Sequence, residues 1–278
     1  MRPEASFEVF ASGLDHPECL AFDRHGHLWA GGEAGQVYRI DASGAVTTAT
    51  TLGGFNAGIA FSPLDHCLYV CNTKLGLFRV DEGGRHTLFA TEAAGHKIIC
   101  PNYPLFDRRG RLYVSDSGKW KQNNGYLLRF DADGSGQVIG GPFGYANGLA
   151  LSADESQLYM VESDTDRVYR FNLTSDDQLG PAEVVADSVG RLPDGLALDE
   201  AGNLYVACYA SDDIWRISPS GEKSRLAWDH HAILLSRPTN LAWDGENSDV
   251  LYVANLGRDT ITRASLPGVR GYRLANQR

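Results

Sequence analysis

Four oxygen-bearing side chains stand at matching places in the sequence: Glu18, Asn102, Asn147 and Asp194. Each is followed by one spacer residue and then a short apolar run, as in Asn147-Gly-Leu-Ala-Leu and Asp194-Gly-Leu-Ala-Leu. Two carboxylates held close together in a confined site repel and resist joint ionisation. A divalent cation removes that conflict. Glu18 and Asp194 contribute the two negative charges, and Asn102 and Asn147 add neutral carbonyl oxygens. A donor set of oxygens, with neither His nor Cys, suits a hard cation. Calcium is the expected ion, ahead of magnesium, manganese and zinc. Calcium takes roughly 6–8 oxygens, so four protein ligands leave positions for water or substrate. Such an open site points to metal-assisted chemistry. For any single Asn, capping a strand or holding a buried water is the ordinary role. Four such residues at equivalent positions exceed what that role explains.

The elements that would bring these residues together are written in a repeat. Six segments share one phrase: a polar or small residue, a spacer, an apolar run, a turn and a strand resembling Leu-Tyr-Val. They begin at Glu18, Ala57, Asn102, Asn147, Asp194 and Thr239, so consecutive copies lie 39–47 residues apart. A period near 45 built only of strands marks a propeller blade. The expected fold is all-β, a six-bladed β-propeller with four-stranded blades, forming a single domain over 1–278. Turns such as Asp107–Gly110 and Asp199–Gly202 join the first strand of a blade to the second. Alternating segments such as GLFRVD, YLLRFD and RVYRFN supply the third. The sixth blade lacks an obvious fourth strand. Residues 6–12, SFEVFAS, are expected to provide it and so close the ring. The tail after Pro267 is expected to pack on the outside.

The innermost strand of each blade faces the propeller axis, so the first positions of the six phrases form one ring. Gly58, Gly148 and Gly195 follow ring positions and permit a narrow centre. The second strand runs antiparallel, and its end returns to the same face, bringing Asp116 and Glu162. Loops that enter the inner strands bring His16, Cys100 and Tyr145, while Tyr103 follows Asn102. These six residues are the candidates for binding a substrate. The loops 91–101 and 229–238 are the longest of their kind and are expected to wall the pocket. The histidines are individually more often surface or hydrogen-bonding residues than catalysts.

Bulk properties narrow the function. The chain has 278 residues, 43% of them hydrophobic, with 31 glycines and a net charge of −10. That acidity argues against nucleic acid or an anionic membrane as the main partner, since both need clustered Lys and Arg. The partner expected is a small-molecule substrate, and oligomeric state is not readable. Five cysteines without a CxxC spacing do not suggest a disulfide framework. The opening MRPEASFEVF has no apolar core of signal-peptide length, which predicts a cytoplasmic location. A GxSxG elbow, a Walker A loop and a Rossmann fingerprint are all missing.

The segments His16-Pro17-Glu18, Pro101-Asn102, Ala146-Asn147-Gly148-Leu149-Ala150 and Pro193-Asp194-Gly195-Leu196-Ala197 carry a resemblance. The chain resembles the senescence marker protein / gluconolactonase / luciferin-regenerating enzyme family. More distantly it is similar to diisopropylfluorophosphatase, the paraoxonases and the strictosidine-synthase-like propellers. The resemblance covers nearly the whole chain. It implies cation binding by Glu18, Asn147 and Asp194, with Asn102 beside the metal or substrate, and metal-dependent hydrolysis of a lactone or ester. In that chemistry Asp194 would act as general base or direct nucleophile. The family's Arg-x-Asn-Asp segment is here Cys100-Pro101-Asn102-Tyr103. That departure implies a less polar lactone or ester than a sugar lactone. Two alternatives remain open at this point. One is a non-catalytic propeller that binds a ligand or partner and uses the cation for stability. The other is a metal-independent enzyme of the strictosidine-synthase-like kind.

Overall fold

Aspartate-led turns set the strand ends. Asp107 Oδ1 accepts from the backbone nitrogens of Arg109 and Arg111, both at 2.9 Å. Gly110 then adopts φ 79°, which a side-chain-bearing residue rarely does. Asp199 repeats the device, accepting from Asn203 N at 2.8 Å, with Gly202 also at φ 79°. The chain reverses at each such turn and antiparallel pairing follows, as in Phe106↔Leu112 and Leu198↔Leu204.

The computed structural model describes residues 5–174, 178–245 and 249–277. Within them lie six four-stranded antiparallel sheets, each one blade of a propeller. The inner strands, in order of blades 1 to 6, are Cys19–Phe22, Asn56–Phe61, Pro101–Phe106, Ala146–Leu151, Pro193–Leu198 and Pro238–Trp243. Two short 3-10 turns are the helical pieces among the described residues. The N-terminal strand Glu8–Ser12 pairs with Thr260–Ser265 as the outer strand of blade 6, in the register Glu8↔Arg263 to Ser12↔Thr260. The ring therefore closes as expected.

The core is divided among the seams between blades. Six buried clusters occur, and each combines residues of adjacent blades. Trp29 of blade 1 meets Phe61 of blade 2 edge-on at 5.6 Å, and Tyr205 of blade 5 meets Trp243 of blade 6 at 5.1 Å. Edge-to-face pairs of this kind lock each blade's angle to its neighbour.

One expectation is corrected. The tail does not pack on the outside; it lies across the lower mouth of the central tunnel. Glu200 N donates to Arg270 O at 2.7 Å, Tyr272 N to Leu198 O at 3.0 Å, and Asn276 Nδ2 to Phe22 O at 2.9 Å. The tail thus crosses from blade 5 to blade 1. Beneath it sits a cavity of about 60 Å³ whose lining includes Phe22, Phe61, Phe106, Leu198, Trp243 and Leu274. The physical reason is that the lower ends of the inner strands are apolar and need a cover.

Candidate metal and active site

At the upper end of the tunnel the inner strands share an irregularity. Pairing with the neighbouring strand slips between Asn56 and Gly58, Pro101 and Tyr103, Ala146 and Leu149, Pro193 and Leu196, and Pro238 and Asn240. The residues inside these slips are Ala57, Asn102, Asn147 with Gly148, Asp194 with Gly195, and Thr239. A bulge of this kind re-aims a side chain out of the regular alternation. Glu18 stands at the corresponding place in blade 1, its nitrogen donating to Gly31 O at 3.1 Å. The six ring positions named by the repeat are therefore equivalent in space.

Glycine lets them approach the axis. A methyl group at Gly148 would overlap the Asp194 carbonyl oxygen. At Gly195 it would meet Thr239 O, and at Gly58 it would meet Asn102 O. Across the seam between blades 6 and 1, Thr239 Oγ1 donates to Glu18 O at 2.7 Å.

The electrostatics follow from this crowding. Glu18, Asn102 and Asn147 are buried, and Asp194 is half-buried. Burial pushes the Asp194 carboxyl up to about 8, with the Asn147 amide pulling back down through a hydrogen bond. Burial, and then the charge of Asp194, raise Glu18 well above the ordinary carboxylate range. Glu18 Oε2 and Asn147 Oδ1 are buried without a hydrogen-bond partner. Asn147 is oriented by a relay: its Nδ2 donates to Ser163 Oγ at 3.2 Å, and that hydroxyl donates to Pro193 O at 2.6 Å. The amide oxygen is thereby left unbonded. Unpaired buried oxygens beside two crowded carboxyls fit a hard divalent cation, which would satisfy both.

The substrate-binding candidates separate into three groups. Tyr145 and Cys100 belong to the ring's surroundings. Their side chains hydrogen-bond to each other, and the charges of Asp194 and Glu18 help burial to raise the Tyr145 hydroxyl. Burial, with Asp116 second, moves the Cys100 thiol up to about 11, so it stays protonated. Tyr103 lies lower. Its hydroxyl donates to Leu196 O at 3.3 Å and hydrogen-bonds the Asn240 amide, and the residue also lines the lower cavity. It is a floor between the two ends of the tunnel.

Asp116 and Glu162 both hold loops of the upper face. Asp116 accepts from Ile99 N at 2.9 Å, Cys100 N at 2.7 Å, Gly118 N at 3.2 Å and His96 Nε2 at 3.2 Å. Glu162 accepts from Gly144 N at 2.7 Å, Tyr169 OH at 3.1 Å and the Thr165 hydroxyl. Asn72 and Asn255, at the same strand end in blades 2 and 6, also bond across to neighbouring loops. His16 sits on the exposed rim, 3.0 Å from Asp15 and 3.3 Å from Glu33. The 91–101 loop is a small hairpin, Glu92–Ala93 with His96–Lys97. Sequence reasoning passed over Ser163 and Trp120. The repeated acid-Ser pair at the second-strand ends, Asp116-Ser117 and Glu162-Ser163, was the available signal for the first.

A family profile described as the SMP-30/Gluconolactonase/LRE-like region matches residues 56–256. The chain belongs to this family. The match includes Asn102, Asn147 and Asp194, while Glu18 lies before it. A 6-deoxy-6-sulfogluconolactonase of Pseudomonas putida is 28% identical over 233 residues, 82% of this chain and 78% of that protein. A solved gluconolactonase from Xanthomonas campestris superposes with a TM-score of 0.82 at 19% identity, covering 95% of this chain and 91% of the other. A calcium-binding protein, regucalcin, from Agrobacterium tumefaciens superposes at 0.77 with 20% identity, covering 96% and 95%. At such identities the two structures establish the SMP-30/gluconolactonase propeller fold.

Proposed function

We propose that this protein is a divalent-cation-dependent hydrolase of a lactone or related ester, with Glu18, Asn102, Asn147 and Asp194 holding the ion and calcium its preferred occupant. The observation that carries this reading is the pair of crowded carboxyls, Glu18 and Asp194, beside buried oxygens that lack partners. The lactonase name of the Pseudomonas relative and the calcium-binding title of the regucalcin neighbour support it.

A bound cation would supply a Lewis-acid contact that stabilises negative charge developing on a carbonyl oxygen. The remaining work falls to the chain. Asp194 is the general base: burial pushes its carboxyl up in the ion-free chain, and a bound cation would hold it ionised, placed to accept a proton from water. The water oxygen bonds to the acyl carbon, the acyl carbon–oxygen bond breaks, and the proton held by Asp194 passes to the leaving oxygen. Water is consumed once, and the products are a carboxylic acid and an alcohol. Asn147 keeps Asp194 in place through its amide. Cys100 and Tyr145 shape the entrance, and small-molecule access is from the upper face.

The test is a panel of lactones and esters assayed with chelator, then with calcium restored. Turnover that vanishes in chelator and returns with calcium is expected. Asp194→Asn should lower kcat by at least about a thousandfold with the fold intact, as expected for loss of a base that also holds the ion. Turnover unchanged in chelator, or near wild-type turnover in the variant, would refute the proposal. A calcium-dependent rise in melting temperature without turnover on any ester would favour a binding propeller instead.

A further inference from the structure

Five of the six turns between the second and third strands of a blade hold three or four residues: 32–35, 73–75, 163–166, 209–212 and 256–259. The turn of blade 3, 117–124, holds eight. All of these turns open on the upper face, because the second strand ends where the inner strand begins. The long turn is braced within itself, with Lys119 N donating to Asn124 Oδ1 at 2.8 Å and Gln122 N to Lys119 O at 3.0 Å. It also reaches the next blade, where Lys121 N donates to Asp164 Oδ2 at 3.1 Å. It therefore bridges blades 3 and 4, whose inner strands carry Asn102 and Asn147.

At that bridge Trp120 meets Tyr145 edge-on, with ring centroids 5.0 Å apart and planes at 82°. Tyr145 holds φ 64°, a conformation rare for a bulky residue. Its hydroxyl is bonded to the Cys100 thiol, and it lies within electrostatic reach of Glu18 and Asp194. Trp120 nevertheless remains 44% exposed, and Ile99 on the adjoining loop 36%. An ordered turn more than the usual length, ending in a half-exposed indole beside a polar buried site, leaves apolar surface that a ligand would cover. The groups at this wall are an indole, a phenol, a thiol and an isoleucine. Lys121 also lies against the indole, its Nζ 5.9 Å from the Trp120 ring centroid, but a lone ammonium is a point charge and not a forked donor of the kind that recognises several hydroxyl groups at once.

We propose that Trp120 and Tyr145 form an aromatic shelf that selects a lactone or ester bearing an aromatic ring over a polyhydroxylated lactone, a specificity that rests on the lactonase reading given above. Trp120 is the residue that determines it.

The test compares dihydrocoumarin, γ-butyrolactone and glucono-δ-lactone as substrates for the calcium-loaded full chain, in wild type, Trp120→Ala and Trp120→Phe. Wild type is expected to favour dihydrocoumarin over glucono-δ-lactone in kcat/KM. Trp120→Ala should lose roughly tenfold on dihydrocoumarin through KM, the scale of one lost aromatic contact. Its loss on γ-butyrolactone should be several times smaller, and Trp120→Phe should recover most of the dihydrocoumarin activity. Equal losses on both lactones, or a wild-type preference for glucono-δ-lactone, would overturn the shelf and leave the lactonase reading standing. Turnover on none of the three would instead sink the lactonase reading. The shelf is then judged by calorimetric binding of the hydroxyphenyl acid formed when dihydrocoumarin opens. Binding weakened about tenfold in Trp120→Ala supports it, and absent or equal binding overturns it.

Discussion

At the scale of single residues, the site is governed by how two acids share one small volume. Asp194 has moved from an ordinary 3.8 to about 8 because burial disfavours its charge, and Glu18 is raised by burial and by Asp194. The folded chain therefore holds a proton that the unfolded chain has already released between 3.8 and about 8. In the ion-free protein this contribution to stability is full below the unfolded value and is lost as pH rises through the folded one. A cation binds the ionised pair, so its stabilisation runs the other way and grows with pH over the same window. At a hundredfold excess over its Kd, an ion adds about 2.7 kcal/mol. Melting temperatures taken in chelator should thus fall across that window, and calcium should restore them most at its upper end. Glu18→Gln should remove the Glu18 share of the chelator profile, leave the part due to the burial of Asp194, and abolish the calcium response. A profile in chelator that rises with pH would remove the electrostatic case for the cation.

At the scale of strands and loops, the site exists because the inner strands of blades 2 to 6 slip register at their first positions, where the ring residues stand, and Glu18 holds the matching place in blade 1. Much of this was legible in the sequence. The period of the repeat set the blade count, and Asn147-Gly148 and Asp194-Gly195 marked both the ring and its close approach. The roles of Asp116 and Glu162 were not legible. A carboxylate at a strand end reads the same whether it faces a pocket or a loop, and the groups that decide are backbone nitrogens without a sequence signature. Trp120 was missed for a related reason, since its place depends on a turn that is long only by comparison with its five counterparts. Asp116→Ala separates the loop role from a substrate role. It would leave the nitrogens of Ile99, Cys100 and Gly118 unpaired, and a loss of about 3 kcal/mol in unfolding free energy is expected. Chemical denaturation measures it. Unchanged stability with a raised KM would return Asp116 to the substrate.

At the scale of the whole molecule, a propeller has two circular weaknesses: the seam where first and last blades meet, and the open ends of its tunnel. The first is closed by the Glu8–Ser12 strand, which gives the outer edge of blade 6 a hydrogen-bonded partner and places Ala11 and Leu14 in the seam between blades 6 and 1. The second is treated unequally. The upper end is left open to the polar ring, and the lower end is covered by the tail, with the Tyr103 side chain lying between them. Deleting everything after Pro267 should therefore damage one end only. The six blades keep their strands, because the last one ends at Ser265. Phe22, Phe61, Phe106 and Trp243 lose their cover, so binding of an apolar dye should rise and the melting temperature should fall. Calcium affinity and KM at the upper end should change by less than about threefold, because the tail bonds to the lower strand ends and not to the ring residues. A truncated chain that melts as the parent does, with no added dye binding, would show that the tail seals nothing. One that keeps its fold and loses calcium would show instead that the Tyr103 floor transmits the state of the lower cavity to the ring.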